Sequence, residues 1–147
     1  MTRVMRSRQR GFTLIEIMVV VVIIGLLTAV VTTQVMGRVD DARANKVQQD
    51  IKALELALQM YRLDNSRYPT TEQGLAALVA KPSLEPIPPS WRPGGYLQRY
   101  SKDPWKEDYI YVSPGEHGEY DLFSLGADKK EGGEGPDADI GNWNLDQ

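Results

Sequence analysis

Phe12-Thr13-Leu14-Ile15-Glu16-Ile17-Met18-Val19-Val20-Val21-Val22-Ile23-Ile24-Gly25-Leu26-Leu27-Thr28-Ala29-Val30-Val31 carries a single charge, Glu16, and breaks its apolar run only at Thr13, Gly25 and Thr28. As a helix rising about 1.5 Å per residue, these residues span ~30 Å, the thickness of a bilayer core. A membrane also removes the usual cost of β-branched runs such as Val19 to Ile24, because it forces backbone pairing within the segment. Arg3, Arg6, Arg8 and Arg10 precede the run with no acidic residue among them. That asymmetry places the N-terminal end in the cytoplasm and the bulk of the chain on the far side. A cleaved secretory signal fits less well, because the apolar run is long and no Ala-x-Ala pattern closes it.

The helical pattern continues past the run and becomes amphipathic. Val47, Ile51, Leu54, Leu58 and Tyr61 recur at steps of four and three, while Asp40, Asp41, Arg43, Lys46, Asp50, Lys52, Glu55 and Arg62 fill other positions. Leu56, Met60 and Leu63 widen the apolar stripe, as expected if one side meets a sheet and another meets neighbouring subunits. The spacing predicts one helix from Phe12 to Leu63, ~52 residues and ~78 Å long, with Gly37 a tolerated weak point. It should stop near Asp64-Asn65-Ser66, ahead of Tyr68-Pro69.

Thr70-Thr71-Glu72-Gln73 reads as a capping box before a short helix through Leu75, Leu78 and Val79. Five of the nine prolines fall between Pro82 and Gly95, which predicts a loop there. Tyr109-Ile110-Tyr111-Val112 and Tyr120-Asp121-Leu122-Phe123-Ser124 read as an antiparallel hairpin around a Pro-Gly turn. A weaker strand around Leu97 to Tyr100 is the expected third member of that sheet. So small a sheet needs cover on one face, and the helix stripe is the obvious source.

Composition excludes several functions. The 147-residue chain has no cysteine and one histidine, His117, so disulfides, thiolate metal sites and histidine-based triads are poor fits. The formal charge is −3; the four N-terminal arginines contribute +4, so the remainder carries −7. An acidic remainder argues against nucleic acid, whose phosphates require clustered Lys and Arg. Tyr109, Tyr111 and Tyr120 alternate with apolar residues and are expected to pack, and His117 is expected to be solvated. No convergent nucleophile, base and acid set suggests an enzyme.

Arg10-Gly11-Phe12-Thr13-Leu14-Ile15-Glu16 resembles the processing signal of type IV prepilins and type II secretion pseudopilins. The resemblance implies cleavage after Gly11 by a prepilin peptidase and N-methylation of Phe12. Glu16 has a physical argument of its own. An ionised carboxylate in hydrocarbon costs about 2.5–3.5 kcal/mol on insertion scales, so it persists best with a partner. The freed α-amino group of Phe12, or the same group on an adjacent copy, supplies one; the family implies the intermolecular choice, which sets subunit register in a filament.

Leu125-Gly126-Ala127-Asp128, followed by Ala138-Asp139-Ile140-Gly141-Asn142-Trp143, is similar to the C-terminal region of the general secretion pathway protein G family, the major pseudopilins of type II secretion. By composition alone, Asp128, Glu131, Glu134, Asp137 and Asp139 among five glycines suit either a solvated acidic loop or Ca²⁺. The resemblance implies one structural Ca²⁺, with Asp128 and Asp139 as side-chain ligands and Leu125 as a carbonyl ligand. Lys130 and Gly133 are further carbonyl candidates, and Asp137 replaces or joins Asp139. Tyr68-Pro69-Thr70-Thr71-Glu72-Gln73-Gly74-Leu75 and Asp103-Pro104-Trp105 look like hallmarks of the same family, and their local reading is structural.

The implied architecture is the α+β, type IV pilin-like fold. Residues 1–11 form a basic leader, 12–36 the transmembrane part of the helix, and 37–147 a periplasmic domain. Within that domain the helix runs to about 64, a loop with a short helix covers 65–97, and the sheet and acidic loop cover 98–147. The implied role is a structural subunit of a periplasmic filament that supports export of folded proteins across the outer membrane. Its implied partners are further copies of itself, the prepilin peptidase, an inner-membrane assembly platform, minor pseudopilins and a secretin. The alternative is a type IV pilin of a surface fibre, but such pilins commonly close their C-terminal region with a disulfide, and this chain has no cysteine.

Overall fold

The computed structural model describes residues 11–145, apart from the side chains of residues 29–36. The expected leader therefore lies outside the described residues except for Gly11, as does part of the side-chain surface of the 12–36 segment. The chain divides into two compact units, with the boundary between Val39 and Asp40.

Helix α1 covers Leu14–Asn65, 52 residues. Its length is the expected one, shifted two positions along the chain. Thr13 stays outside as the cap, its hydroxyl and carbonyl oxygens accepting from the Glu16 N–H at 3.3 and 3.1 Å. This satisfies an amide that the first helical turn otherwise leaves unpaired. At the other end Asn65 Nδ2 donates to the Tyr61 carbonyl, and Ser66 turns left-handed at φ 60°, which stops the helix where the polar triplet predicted.

In the second unit the stripe behaves as its spacing requires. Val47, Ile51, Leu58 and Tyr61 are wholly buried and Leu54 nearly so. The sheet opposite has the order β1-β2-β3, with β1 at Ile110–Val112, β2 at Asp121–Ser124 and β3 at Ile140–Gly141, all antiparallel. Tyr111 pairs with Leu122 in register, and both are buried, along with Tyr109 and Tyr120.

Two expectations need correction. The third strand is not Leu97 to Tyr100; that segment docks by Tyr96 and Leu97 N–H bonds to the Leu78 carbonyl at 2.7 and 3.1 Å. The third strand comes instead from Ile140–Gly141, in a tail whose glycine and carboxylate content reads as loop. The short helix is a single 3₁₀ turn, Leu75–Leu78. The reciprocal bonds of the expected capping box are present, with Thr70 N–H donating to Gln73 Oε1 at 3.1 Å and Gln73 N–H to Thr70 Oγ1 at 3.2 Å, but they close the turn at residues 71–74, and the 3₁₀ turn itself starts from left-handed Gly74 with no side-chain cap. Thr71, next to Thr70, bridges to the hairpin, its hydroxyl donating to the Ser113 carbonyl and accepting from the Ser113 N–H.

Candidate functional site

The first candidate is the start of α1. Phe12 is 78% exposed, and the large apolar residues from Leu14 to Leu27 are each between 46% and 79% exposed. Among the described residues no helix is long and apolar enough to cross a membrane. The side chains described within the apolar run end at Thr28, three residues before that run ends in the sequence. Glu16 lies in the first turn of α1 and is exposed, four residues after Phe12. A Cβ built on Gly11 meets nothing within 4 Å, so packing does not require glycine there.

The second candidate is the loop between β2 and β3, which contains every predicted metal-binding residue. It is ordered by internal bonds. Ala127 N–H donates to the Pro136 carbonyl at 3.0 Å, Asp139 N–H to the Gly132 carbonyl at 3.2 Å, and Gly132 N–H to Asp139 Oδ2 at 2.9 Å. Asp128 Oδ1 accepts from Lys130 N–H at 3.0 Å. Gly126 and Gly133, both left-handed, approach the Asp137 peptide so closely that a Cβ would sit 3.0 and 2.3 Å from its carbonyl oxygen. These glycines are therefore structural requirements of the turn. Asp137 itself is exposed.

Asp139 Oδ1 is buried and has no hydrogen-bond partner. A buried unsatisfied acceptor costs about 1–3 kcal/mol, more for a charged group, unless a proton donor or cation meets it. The donors here are carboxylate and carbonyl oxygens, the set a hard divalent cation prefers. The turn and loop hydrogen bonds fall on the carbonyls of Gly132, Glu134, Gly135 and Pro136 and leave out those of Leu125, Lys130 and Gly133. Among the described residues no three His, Asp or Glu side chains group as a metal site; a shell of two carboxylates and backbone oxygens does not need three. In donor chemistry these residues suit such an ion.

Two neighbouring features escaped sequence reasoning. Asp103 is buried and takes hydrogen bonds from Trp105 N–H, Glu107 N–H and the Ser124 hydroxyl at 3.0, 2.9 and 2.5 Å. It thereby pins the residue that enters the acidic loop, and Lys129 reinforces the join through Glu107. His117 is not simply solvated. Its Nδ1 lies 3.0 Å from Asp121 Oδ2 and its ring stacks on Trp143 at a centroid distance of 4.0 Å. Burial alone would raise the Asp121 carboxyl, but the His117 ring and the Glu116 and His117 N–H groups outweigh it and hold the carboxyl below its ordinary value. The spacing of Asp121 from the turn residues was the available signal.

The tyrosines are packing residues with hydrogen-bonding ends. Burial pushes the phenols of Tyr109 and Tyr120 well up and that of Tyr111 to about 12, so all three stay protonated. Tyr109 donates to Asp50 at 2.8 Å and Tyr111 to the Pro69 carbonyl at 2.9 Å. Such phenols act as donors that tie the hairpin to α1 and to the segment just after it, not as bases.

Comparison with known proteins agrees with this anatomy. Residues 34–143 match the family model described as type II secretion system (T2SS), protein G, and residues 6–32 match the prokaryotic N-terminal methylation motif. The chain is 57% identical to the type II secretion system core protein G of Pseudomonas aeruginosa, over 94% of this chain and 97% of that one. It is also 57% identical to the protein of the same description from Vibrio cholerae, over 94% of each. Among solved structures it resembles the major pseudopilin of the type 2 secretion system of enterohaemorrhagic Escherichia coli, at 51% identity and a TM-score of 0.66, covering 74% of this chain and 92% of that one. A methylation motif opening an apolar helix, with a helix-on-sheet domain and an acidic glycine loop behind it, thus places the chain in the type II secretion system protein G family.

Proposed function

We infer that the chain is a major pseudopilin, a structural subunit rather than a catalyst, that polymerises into a periplasmic filament of a type II secretion system. The observation that carries this reading is the apolar start of α1, exposed along its described length and holding one carboxylate. In water that surface costs about 25 cal/mol per Å². Two environments remove the cost: a bilayer before assembly and the packed helices of other copies after it. Cleavage after Gly11 would free the Phe12 amino group about one helical turn from Glu16. Pairing of Glu16 with that group on a neighbouring copy would neutralise both charges and fix the register between copies. The inner-membrane platform, minor pseudopilins and secretin are the partners the family's machine implies.

The acidic loop would hold one Ca²⁺, a reading supported by the unpartnered buried Asp139 Oδ1. Asp128 and Asp139 would hold it with the carbonyls of Leu125, Lys130 and Gly133, and Asp137 is the alternative carboxylate. When bound, the ion supplies positive charge that lets the carboxylates of a tight turn lie close together. The chain's own residues then hold β3 against β2.

The deciding experiment is the mass of the protein recovered from cells together with microscopy of the assembled material. Loss of residues 1–11, one added methyl group and helical filaments are the expected result. A retained arginine-rich leader with no filaments would end the reading.

A further inference from the structure

Asp139 to Asn144 form a short strap that leads from the acidic loop through β3, and its polar groups are tied at many points. The Asp139 carbonyl accepts from Asn144 Nδ2 at 3.0 Å, and Asn144 Oδ1 accepts from the Gly141 N–H at 2.9 Å. Asn144 N–H donates in turn to the Gly141 carbonyl at 3.1 Å. Asn142 is pinned to β2: its side chain accepts from Leu122 N–H at 2.9 Å and donates to the Tyr120 carbonyl at 3.2 Å. These bonds close a tight turn that lays Trp143 back on Gly141, so that a Cβ there would sit 2.4 Å from the indole. Phe123 meets the same indole in a T-shaped contact, centroids 5.3 Å apart.

The turn between β1 and β2 reaches this strap through one side chain. The His117 ring lies on the Trp143 indole at 4.0 Å with 10° between the planes. Asp121 sets the orientation of that imidazole through Nδ1, and is itself fixed by the N–H groups of Glu116 and His117 at 2.9 and 3.1 Å. A cleft of about 260 Å³ lies beside the stack, lined by Glu131 and Asp139 from the acidic loop, His117 and Asp121 from the hairpin, and Trp143. Among the described residues Asp139 makes no hydrogen bond across it to the turn. Its bonds go to Gly132 within the loop and to Asn144 within the strap. Whatever steadies Asp139 from the hairpin side therefore acts along the strap.

We propose that His117 and Trp143 are positioning residues for the cation of the acidic loop: their stack anchors the strap and so holds Asp139 ready, with its unpartnered Oδ1, to meet the ion. The inference rests on the calcium reading above and deepens it. Ordering a loose carboxylate at the moment of binding costs affinity, and a carboxylate anchored beforehand avoids that cost. Linkage makes the effect mutual, so a bound ion tightens the stack by the same factor.

Calorimetric titration of the detergent-solubilised full chain with CaCl₂ tests this. His117→Ala leaves the core intact, because that side chain is 45% exposed and Asp121 keeps its two N–H donors. Its Ca²⁺ dissociation constant should rise about fivefold, the low end of coupling between linked sites. His117→Phe keeps a ring on the indole and should return the constant to within about twofold of the native value. Trp143→Leu should also weaken binding, yet add little to His117→Ala, since the two side chains make one contact. An unchanged constant in His117→Ala, no recovery in His117→Phe, or full additivity of the pair overturns the proposal. A merely structural stack would lower the melting temperature equally in Ca²⁺ and in chelator and leave the constant alone. Should His117→Ala not fold, His117→Phe decides by itself, a native constant supporting the proposal and a weakened one overturning it. If the native chain takes up no Ca²⁺, the calcium reading itself fails, and the proposal with it.

Discussion

One helix serves two different surroundings. Before Thr28 its apolar residues are exposed with no preferred face, from Val20 at 46% to Leu14 at 79%. In the later stretch Val47, Ile51, Leu54, Leu58 and Tyr61 form one stripe buried to within 3% of completion, while Leu56 stays 55% exposed outside it. Periodicity explains the contrast. A residue set confined to a face can be satisfied by one small sheet, whereas a set distributed all round needs a surrounding solvent of lipid or other helices. The second stretch is therefore finished by the chain's own fold, and the first only by what encloses it.

The largest test of this contrast is Glu16→Ala. The altered chain should still insert, since a charge has been removed from an apolar run, but filament yield should fall about a hundredfold if the lost pairing is worth ~2.5–3.5 kcal/mol. Quantifying sheared filaments against membrane-inserted monomer measures it, and unchanged filaments would break the proposed pairing. In the second stretch the sharp test is Leu58→Ala, at a fully buried stripe position. It should destabilise a soluble domain beginning near Gly37 by about 2–5 kcal/mol in urea melts. The same substitution at exposed Leu56 should change those melts by less than about 0.5 kcal/mol.

Chelation probes the acidic loop. At a free Ca²⁺ concentration about a hundred times the dissociation constant, removing the ion should cost about 2.7 kcal/mol and lower the melting temperature of the soluble domain. Asp139→Asn should abolish the difference between Ca²⁺ and chelator. A melt indifferent to chelator, from protein purified without Ca²⁺, removes the metal from the account. The smallest effect belongs to Asp121. Its carboxyl is held below its unfolded value, so its contribution is full above about pH 4, the unfolded range, and fades as acid titrates the folded group. Replacing His117 with Ala should flatten that acid limb, visible as a shallower fall in melting temperature below pH 4.

The features legible in the sequence were those set by local periodicity. The stripe Val47 to Tyr61, the stop at Asn65, the Thr70 and Gln73 reciprocal cap and the Tyr111–Leu122 hairpin all follow from residue spacing. The third strand did not, because Ile140–Gly141 is two residues long and its pairing depends on distant partners. Asn142 N–H donates to the Leu122 carbonyl at 3.0 Å, and Leu122 N–H donates to the Asn142 side chain at 2.9 Å. Those partners are twenty positions apart in sequence, beyond any local pattern. The acidic loop's residues were identifiable, whereas the bracing of its entrance by Asp103 and Ser124 was not, since a buried carboxylate declares itself only through its three donors.

The placement of β3 has a consequence for timing. Helix α1 ends at Asn65, and the strand that completes the sheet begins 75 residues later, at Ile140. A chain emerging one residue after another presents its greasy stripe long before the last strand can latch onto β2. The domain consequently stays ajar through most of its own delivery. Only a chain whose acidic loop has emerged can pair β3 with β2, so the sheet is completed last.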